Sequence, residues 1–264
     1  MAVQSVLNAL RVFEEVATRQ PAGVGEVARA LGMPKSSVHR AIVTLCDGGW
    51  MRSTGGERPR YVVTSRALSV GRNASPELGL RETALPEMVR LRDATNETIH
   101  LCLWDGHNIV LVERVDSTQA VRTYHPLGIY APLTASSSGK AVLALLAPAE
   151  IDRIIATGLH KYTDHTIVDE AILRADLAST RRRGYARNDG EWRVDVAAVA
   201  AAIRGDDGLP IGVVNISAPA SRATEADLQR AGKLLVQARS TIEEHLGLRR
   251  PPGPAADHTH ADPR

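Results

Sequence analysis

A break in a helical pattern between residues 26 and 45 constrains the fold of this chain more than any other feature. The stretch reads EVARALGMPKSSVHRAIVTL, and its apolar residues keep helical spacing on both sides of Gly32, Met33 and Pro34. Glycine is common at the C-terminal cap of a helix and proline in the first turn, so the pattern predicts two short helices joined by a tight turn. Such a pair is typical of a helix-turn-helix.

The second helix of this pair has two contrasting faces. At about 100° per residue, its apolar residues fall on one side, where they pack on the preceding helices. The other side presents hydroxyls, an imidazole and a guanidinium, which suit DNA phosphates and base edges in a major groove. The residues predicted to contact DNA from this helix are Lys35, Ser36, Ser37, His39, Arg40 and Thr44.

A further helix precedes this pair and a hairpin follows it. Helical spacing predicts an amphipathic helix over residues 5–19 with one buried stripe, made of Val6, Ala9, Leu10, Phe13, Val16 and Ala17. The stretch WMRSTGGERPRYVVT has two extended runs around Gly55 and Gly56, which predicts a β-hairpin. Its Arg52, Arg58 and Arg60 suit phosphate or minor-groove contact. The front is therefore interpreted as a winged helix-turn-helix; the alternative is a three-helix domain with solvated polar faces.

Charge separates the front of the chain from the rear. The net charge is +2, but residues 1–75 contain ten Lys and Arg against five Asp and Glu, whereas the remainder contains 22 basic and 25 acidic residues. This division indicates that only the front meets a polyanion such as double-stranded DNA. No apolar run reaches the roughly 18 residues that indicate a membrane span, and the N-terminus lacks a signal-peptide pattern, so a cytoplasmic protein is expected.

The rear of the chain mixes hairpins with helices. ETIHLCLWDGHNIVLVERVDS and AAVAAAIRGDDGLPIGVVNISAP each have alternating arms around an Asp-Gly pair, which predicts two β-hairpins. Helical spacing covers residues 138–146, 148–157, 169–183 and 223–246, and another helix contains Leu80, Leu85, Val89 and Leu91. This mixture favours an α+β domain over a doubly wound sheet.

The stretch LTASSSGKAVLALL places small hydroxyl side chains at the start of an apolar helix. Residues 134–138 suit an anion or a carboxylate there, and a plain serine N-cap on a core helix is the simpler alternative. A phosphate-binding P-loop is excluded because Thr134 and Ala141 stand where that loop needs Gly and Ser or Thr. Ser137 and Lys140 match the S-x-x-K pair of serine acyl-transfer enzymes, but the accompanying S-D-N and K-T-G elements are absent from the sequence. An enzyme acting on a small metabolite through this Ser137/Lys140 loop, with the front domain as a tether, is kept as the alternative function.

Several stretches, in order, resemble the IclR family of bacterial transcriptional regulators over residues 3–247. They are SVLNALRVFEEVA, EVARALGMPKSSVHRAIVTL, PLTASSSGKAVLALL, LHKYTDHTIVDEAILRADLASTRRRGYARNDGE and VVNISAPASR. The resemblance implies a winged helix-turn-helix at 1–73, a linker helix at 74–96 and a GAF-like α+β effector-binding domain at 97–248. It also implies a homodimer or homotetramer. Residues 73–77, NASPE, mark the expected boundary, and residues 249–264, rich in Pro and polar residues, are predicted to be disordered.

The resemblance also implies where a small-molecule effector binds. The positions that match the family's effector contacts are Ser137, Ser138, Asn188, Asp189, Ala198, Asn215 and Ser217. Asn215 and Ser217 are two apart on a predicted strand, so their side chains share one face; bonding of this pair to neighbouring backbone is the alternative. Family members often carry an acid at position 188, Gly at 195, Cys at 198 and Ser at 215. The loss of an acid suits a carboxylate ligand, and the changes at 198 and 215 predict a pocket that differs from those of other members.

No metal and no cofactor are expected. Cys46 and Cys102 are too few for a disulfide framework or a four-ligand zinc site. His100 and Cys102 lie two apart on a predicted strand, but no third ligand accompanies them, so packing is the better interpretation. The sequence thus predicts a DNA-binding transcriptional regulator, not an enzyme, whose operator binding is modulated by a small metabolite, a carboxylate by preference.

Overall fold

The structure of the protein, a computed structural model, describes residues 2–56, 58–73 and 78–248. By its internal contacts the chain divides into two compact units, Met1–Pro76 and Glu77–Arg264. Residues 74–77 of the expected boundary stretch and the tail at 249–264, which is predicted to be disordered, lie outside the described residues.

The front unit is a group of three helices followed by a hairpin and a fourth helix. Its elements are α1 (Gln4–Arg19), α2 (Val24–Leu31), α3 (Lys35–Asp47), β1 (Met51–Ser53), β2 (Tyr61–Val63) and α4 (Arg66–Asn73). Gly32 closes α2 in the left-handed conformation, with φ 63° and its N–H bonded to the carbonyl of Ala28. Helix α3 begins directly after Pro34, and β1 pairs antiparallel with β2. The predicted helix-turn-helix and hairpin are confirmed.

The buried side of α1 differs from the predicted stripe. Val12 and Val16 are fully buried in the core of this unit, and Phe13 meets Trp50 edge to face with ring centroids 5.9 Å apart. Val6 and Leu10, predicted to be buried, are 55% and 51% exposed. Ala17, also predicted to be buried, is exposed as well. The predicted stripe is therefore wrong: the buried side of α1 centres on Val12 and Val16 and is rotated about the helix axis relative to the prediction.

The rear unit is built on a six-stranded antiparallel sheet. Its elements are α5 (Leu78–Thr95), β3 (Thr98–Trp104), β4 (Ile109–Val115), β5 (Tyr130–Ala131), α6 (Ser137–Leu143), α7 (Pro148–Ala156), α8 (Glu170–Arg183), β6 (Ala186–Asp189), β7 (Val196–Arg204), β8 (Pro210–Pro219), a short 3-10 helix (Ala220–Arg222) and α9 (Glu225–His245). The strand order is β5-β4-β3-β8-β7-β6, and neighbouring strands run antiparallel. The predicted α+β class is confirmed.

Alternation along the strands gives this sheet two different faces. Ile99 and Leu101 of β3 point toward one core, which includes apolar residues of α5 and α9. Cys102, on the opposite face, belongs to a second core with residues of α6 and α8. Strand β7 reads VAAVAAAIR and is buried along its interior, so its small side chains allow helices to pack closely on both faces.

Two short strands had no sequence signal. Strand β5 covers two residues and β6 four, and they form the two edges of the sheet. Neither is long enough to show the alternation by which a strand is detected in sequence. The edge strand β6 nevertheless carries Asn188 and Asp189, both predicted to contact an effector.

Replacing Gly139 with alanine is expected to destabilise the rear unit. A Cβ at this position in α6 would overlap the backbone carbonyl of Leu133, and backbone relaxes less readily than a side chain. The expected loss in the free energy of unfolding is about 1–3 kcal/mol, measured by urea denaturation. Gly79→Ala in α5 is the matched control, because a Cβ there meets nothing within 4 Å. An equal, small effect of both substitutions would contradict this packing.

Candidate functional site

Helix α3 presents the predicted polar face at the surface of the front unit. Val38 and Ile42 are fully buried and fix the orientation of the helix. Five of its six predicted DNA contacts are exposed, and only Ser37 is half-buried. The hydroxyl of Thr44 donates to the carbonyl of Arg40 at 2.9 Å, whereas the Arg40 guanidinium forms no hydrogen bond or ion pair with a described residue. This face holds an unpaired cation among hydroxyls, as DNA recognition needs.

The three hairpin arginines have different surroundings. Arg52 and Arg58 are exposed and form no ion pair with any residue that the structure describes. Arg60 instead donates to the carbonyl of Pro21 at 2.7 and 3.0 Å and to the carboxylate of Glu26 at 2.8 and 3.0 Å. A backbone hydrogen bond from Gly23, and then this guanidinium, lower the pKa of Glu26. Arg60 therefore ties the hairpin to α2, and its charge is already compensated.

A cavity in the rear unit collects six of the seven predicted effector contacts. It holds about 510 Å³ of space not occupied by protein atoms, its opening to solvent included. The predicted residues among its lining are Ser137, Ser138, Asn188, Ala198, Asn215 and Ser217. Asp189 is exposed and does not line the cavity, because it alternates with Asn188 along β6.

A chain of hydrogen bonds crosses the floor of this cavity. His100 of β3 stands directly opposite Asn215 of β8, and its Nδ1 lies 2.9 Å from Asn215 Oδ1. The Nδ2 of Asn215 donates to the hydroxyl of Ser138 at 3.0 Å. Ser138 also bonds to the buried thiol of Cys102, whose pKa is raised to about 12 by its burial. The chain joins β3, β8 and α6, so the start of α6 is held against the sheet.

The amide of Asn188 is also occupied within the protein. Its Nδ2 donates to the carbonyl of Ala135 at 2.5 Å, and its Oδ1 accepts the N–H of Glu191 at 3.3 Å. Both amides in the cavity are thus bonded to protein groups and set its shape. The hydroxyls of Ser137 and Ser217, by contrast, form no hydrogen bond with any described residue, although both residues are buried.

The lining also includes aromatic and cationic residues that were not predicted as effector contacts, among them His100, His125, Trp192 and Arg193. The rings of His125 and Trp192 stack with centroids 5.1 Å apart and planes 6° apart, and His125 meets His100 edge to face at 5.5 Å. His100 and Cys102, predicted to serve packing, both line the cavity. The sequence held one indication that His100 lines the cavity. His100 shares a strand face with Cys102, and the pairing of β3 with β8 places it opposite Asn215, a predicted effector contact.

The buried histidines of the cavity are neutral, and an arginine supplies positive charge where the lining is exposed to solvent. Burial lowers the pKa of His100 and of His125 to about 4 each, so both imidazoles are neutral at pH 7. None of the described residues that line it is Asp or Glu. Arg193 is exposed at the rim, with its guanidinium 5.3 Å from the ring centroid of Trp192. Such a cavity favours a ligand with a negative end and a neutral body.

A buried ion cluster anchors the loop that carries Trp192, a residue of the cavity lining. The Nζ of Lys140 lies 2.5 Å from Glu191 Oε1 and 2.9 Å from Asp176 Oδ2, and Lys140 is 1% exposed. Burial raises the pKa of Glu191 against the opposing effect of Lys140. The backbone carbonyl of Glu191 also accepts the hydroxyl of Thr166 at 2.6 Å. Lys140 does not line the cavity, whereas Ser137 does, so the S-x-x-K pair is divided between two environments.

Among the residues that the structure describes, no group of three or more His, Cys, Asp or Glu side chains is placed to hold a metal ion. No described helix is long and apolar enough to cross a membrane.

Comparison with known proteins gives concordant matches for both units. The family model of the bacterial transcriptional regulator IclR C-terminal domain matches residues 73–244, and that of the IclR helix-turn-helix domain matches residues 5–55. The acetate operon repressor of Salmonella typhimurium is 30% identical over 244 residues, which cover 91% of this chain and 89% of that protein.

Solved structures show the same architecture. An IclR-type regulator from a Silicibacter species is 26% identical and superposes with a TM-score of 0.78, covering 94% of this chain and 98% of its own. An IclR homologue from Microbacterium hydrocarbonoxydans, solved in complex with 4-hydroxybenzoate, is 24% identical with a TM-score of 0.78, covering 92% of this chain and 99% of its own. At this level of identity, the similarity to the Microbacterium protein shows a shared fold.

Replacing Lys140 with methionine is expected to cost about 3–5 kcal/mol in the free energy of unfolding at pH 7, because Glu191 and Asp176 lose their buried cation. Urea denaturation measures this change. Lys161→Met is the matched control, since Lys161 is 59% exposed and pairs with the exposed Asp164 at 2.7 Å. That substitution should change the free energy of unfolding by less than about 1 kcal/mol. Equal losses in the two variants would contradict a buried role for Lys140.

Proposed function

This chain belongs to the IclR family of bacterial transcriptional regulators, and from that premise we propose that a small carboxylate in the rear cavity modulates its binding to an operator. The observation that carries the proposal is the cavity. Its lining includes six residues that match the family's effector contacts, and no described lining residue is acidic. Residues 1–73 act as the DNA-binding head, 74–96 as the linker helix and 97–248 as the effector domain.

The head contacts double-stranded DNA through α3 and the hairpin. Arg40, with the exposed hydroxyls and imidazole beside it, faces base edges and phosphates. Arg52 and Arg58 contribute phosphate contacts, because their charges are not compensated by a described residue. Arg60 has a smaller share than the sequence predicts, since its guanidinium is bonded to Glu26 and Pro21.

The protein acts as a homodimer or homotetramer, and it acts in the cytoplasm because its operator DNA lies there. Support comes from α1 and the residue before it, where Val3, Val6, Leu7 and Leu10 are 60%, 55%, 44% and 51% exposed. An exposed apolar row on a helix is a surface suited to a second copy of the chain. Two heads related by a two-fold axis match a pseudo-palindromic operator.

The effector domain binds the negative end of its ligand with hydroxyls and a cation. Ser137 and Ser217 offer buried hydroxyls that are not bonded to described residues, and Arg193 supplies positive charge at the rim. An enzyme using Ser137 and Lys140 finds no support in this geometry, because the Lys140 ammonium is held between two carboxylates and does not line the cavity that Ser137 lines.

Arg40→Ala should weaken operator binding about 5–150-fold, since one base contact contributes about 1–3 kcal/mol. The operator is first obtained by selecting duplexes from a random-sequence library with the full-length protein. Fluorescence anisotropy of the selected duplex then gives both affinities at one fixed salt concentration. Arg122→Ala, which removes an exposed charge from the rear unit, is the control and should leave affinity unchanged. Unchanged binding by Arg40→Ala would show that α3 is not the recognition helix.

A thermal-shift screen against aliphatic and aromatic carboxylates tests the cavity. A ligand at 100 times its dissociation constant adds about 2.7 kcal/mol to the stability of the domain that it binds. Ser137→Ala should reduce the shift produced by a hit, and Ser179→Ala in α8, outside the cavity, should not. A hit that both variants retain would place the ligand elsewhere. No shift with any carboxylate would contradict the proposed ligand class.

A further inference from the structure

The two ring nitrogens of His100 have different surroundings. Nδ1 lies 2.9 Å from Asn215 Oδ1. Nε2 is buried and forms no hydrogen bond with any residue that the structure describes. Because His100 lines the cavity and is only 3% exposed, this second nitrogen is a polar atom for which the surrounding protein supplies no partner.

The bond to Asn215 determines which nitrogen carries the proton. The Nδ2 of Asn215 donates to Ser138, so the oxygen of the amide is the atom that faces His100. A carbonyl oxygen only accepts, and Nδ1 must therefore be the protonated nitrogen. A neutral imidazole has one N–H, which leaves a lone pair on Nε2. The cross-strand register of β3 and β8 fixes this arrangement, because the two residues are directly opposite.

The imidazole stays neutral because of its surroundings. Burial, followed by the neighbouring His125, lowers the pKa of His100 to about 4. Arg114 acts in the same direction, whereas Asn215 and Asp116 act against it. At neutral pH the buried lining residue His100 thus offers a hydrogen-bond acceptor, and the cation Arg193 is an exposed residue of the same lining.

We propose that the effector is a hydroxy carboxylic acid, whose hydroxyl donates a hydrogen bond to His100 Nε2 while its carboxylate lies toward Arg193. This inference rests on the proposed function of the cavity as the effector site. Its apolar walls, which include Leu111, Ile129 and Val196, contact the body of the ligand between these two ends. An acid without the hydroxyl leaves the buried acceptor unpaired, which disfavours its binding.

The tautomer of His100 is tested first, because it needs no ligand. Nitrogen NMR of the full-length protein with labelled histidine at pH 7 should show His100 with its proton on Nδ1 and a bare Nε2. Assignment uses the loss of that signal in His100→Phe. A proton on Nε2, or a charged ring, would overturn the proposal and leave the effector site itself in place.

Matched acids then test the ligand class. Calorimetry compares 4-hydroxybenzoate with benzoate and 4-methoxybenzoate, and 3-hydroxybutyrate with butyrate. At least one hydroxy acid should bind 10-fold or more tightly than its partner without a hydroxyl, and the methoxy compound should lose this advantage because it has no proton to donate. Equal affinity within every pair would overturn the hydroxyl inference but keep the carboxylate site. If no acid in the panel binds, both the hydroxyl inference and the carboxylate site are overturned.

The preference must also depend on His100. In His100→Phe the hydroxy acid and its partner should bind within 3-fold of each other, whereas His107→Phe, on the exposed β3–β4 turn, should keep the wild-type ratio. Retention of the ratio by His100→Phe would overturn the assignment. If that variant fails to fold, the matched acids on the wild-type protein decide.

Discussion

The antiparallel pairing of β3 with β8 at the centre of the sheet is the constraint on which the rear unit depends. Its register places His100 opposite Asn215 and Ile99 opposite Ile216. One face of the pair is therefore apolar and packs beneath α5 and α9, and the other carries the polar row of the cavity. A slip of one residue would exchange the two faces, so one register determines both the core and the site.

The polar groups of the cavity form two sets: those bonded to other protein groups and those without a described partner. The amides of Asn188 and Asn215 are bonded to protein groups at both ends, so they hold the loop before α6 and α6 itself in place. The hydroxyls of Ser137 and Ser217 and the Nε2 of His100 form no hydrogen bond with a described residue, and they are the groups that we propose for a ligand. Lys140, through its ion pair with Glu191, anchors the loop that carries Trp192. Binding in this cavity can change DNA affinity only by the difference in ligand affinity between two states of the protein.

Secondary-structure elements with a strong hydrophobic period were predicted correctly from the sequence. The two Asp-Gly hairpins and the helix that becomes α9 were found because their patterns are long and their turns are marked. The buried stripe of α1 was wrong because the apolar residues of this helix extend over more than one side, and only packing on α2 and α3 decides which side is buried. His125, Trp192 and Arg193 were missed because they lie in loops, where no period exists and only the folded chain brings them beside β3 and β8. The pairing of Arg60 with Glu26, 34 residues apart in the chain, was invisible for the same reason.

The central claim is that one ligand in the cavity is coupled to operator binding, and reciprocity tests it most directly. The affinity for the selected duplex is measured with and without saturating ligand, and the ligand affinity is measured with and without saturating duplex. Thermodynamic linkage requires the two ratios to be equal, and a regulator should show a factor of about 5–150. A ratio of one in both experiments, with the ligand bound, would contradict the claim that the cavity regulates the DNA-binding head.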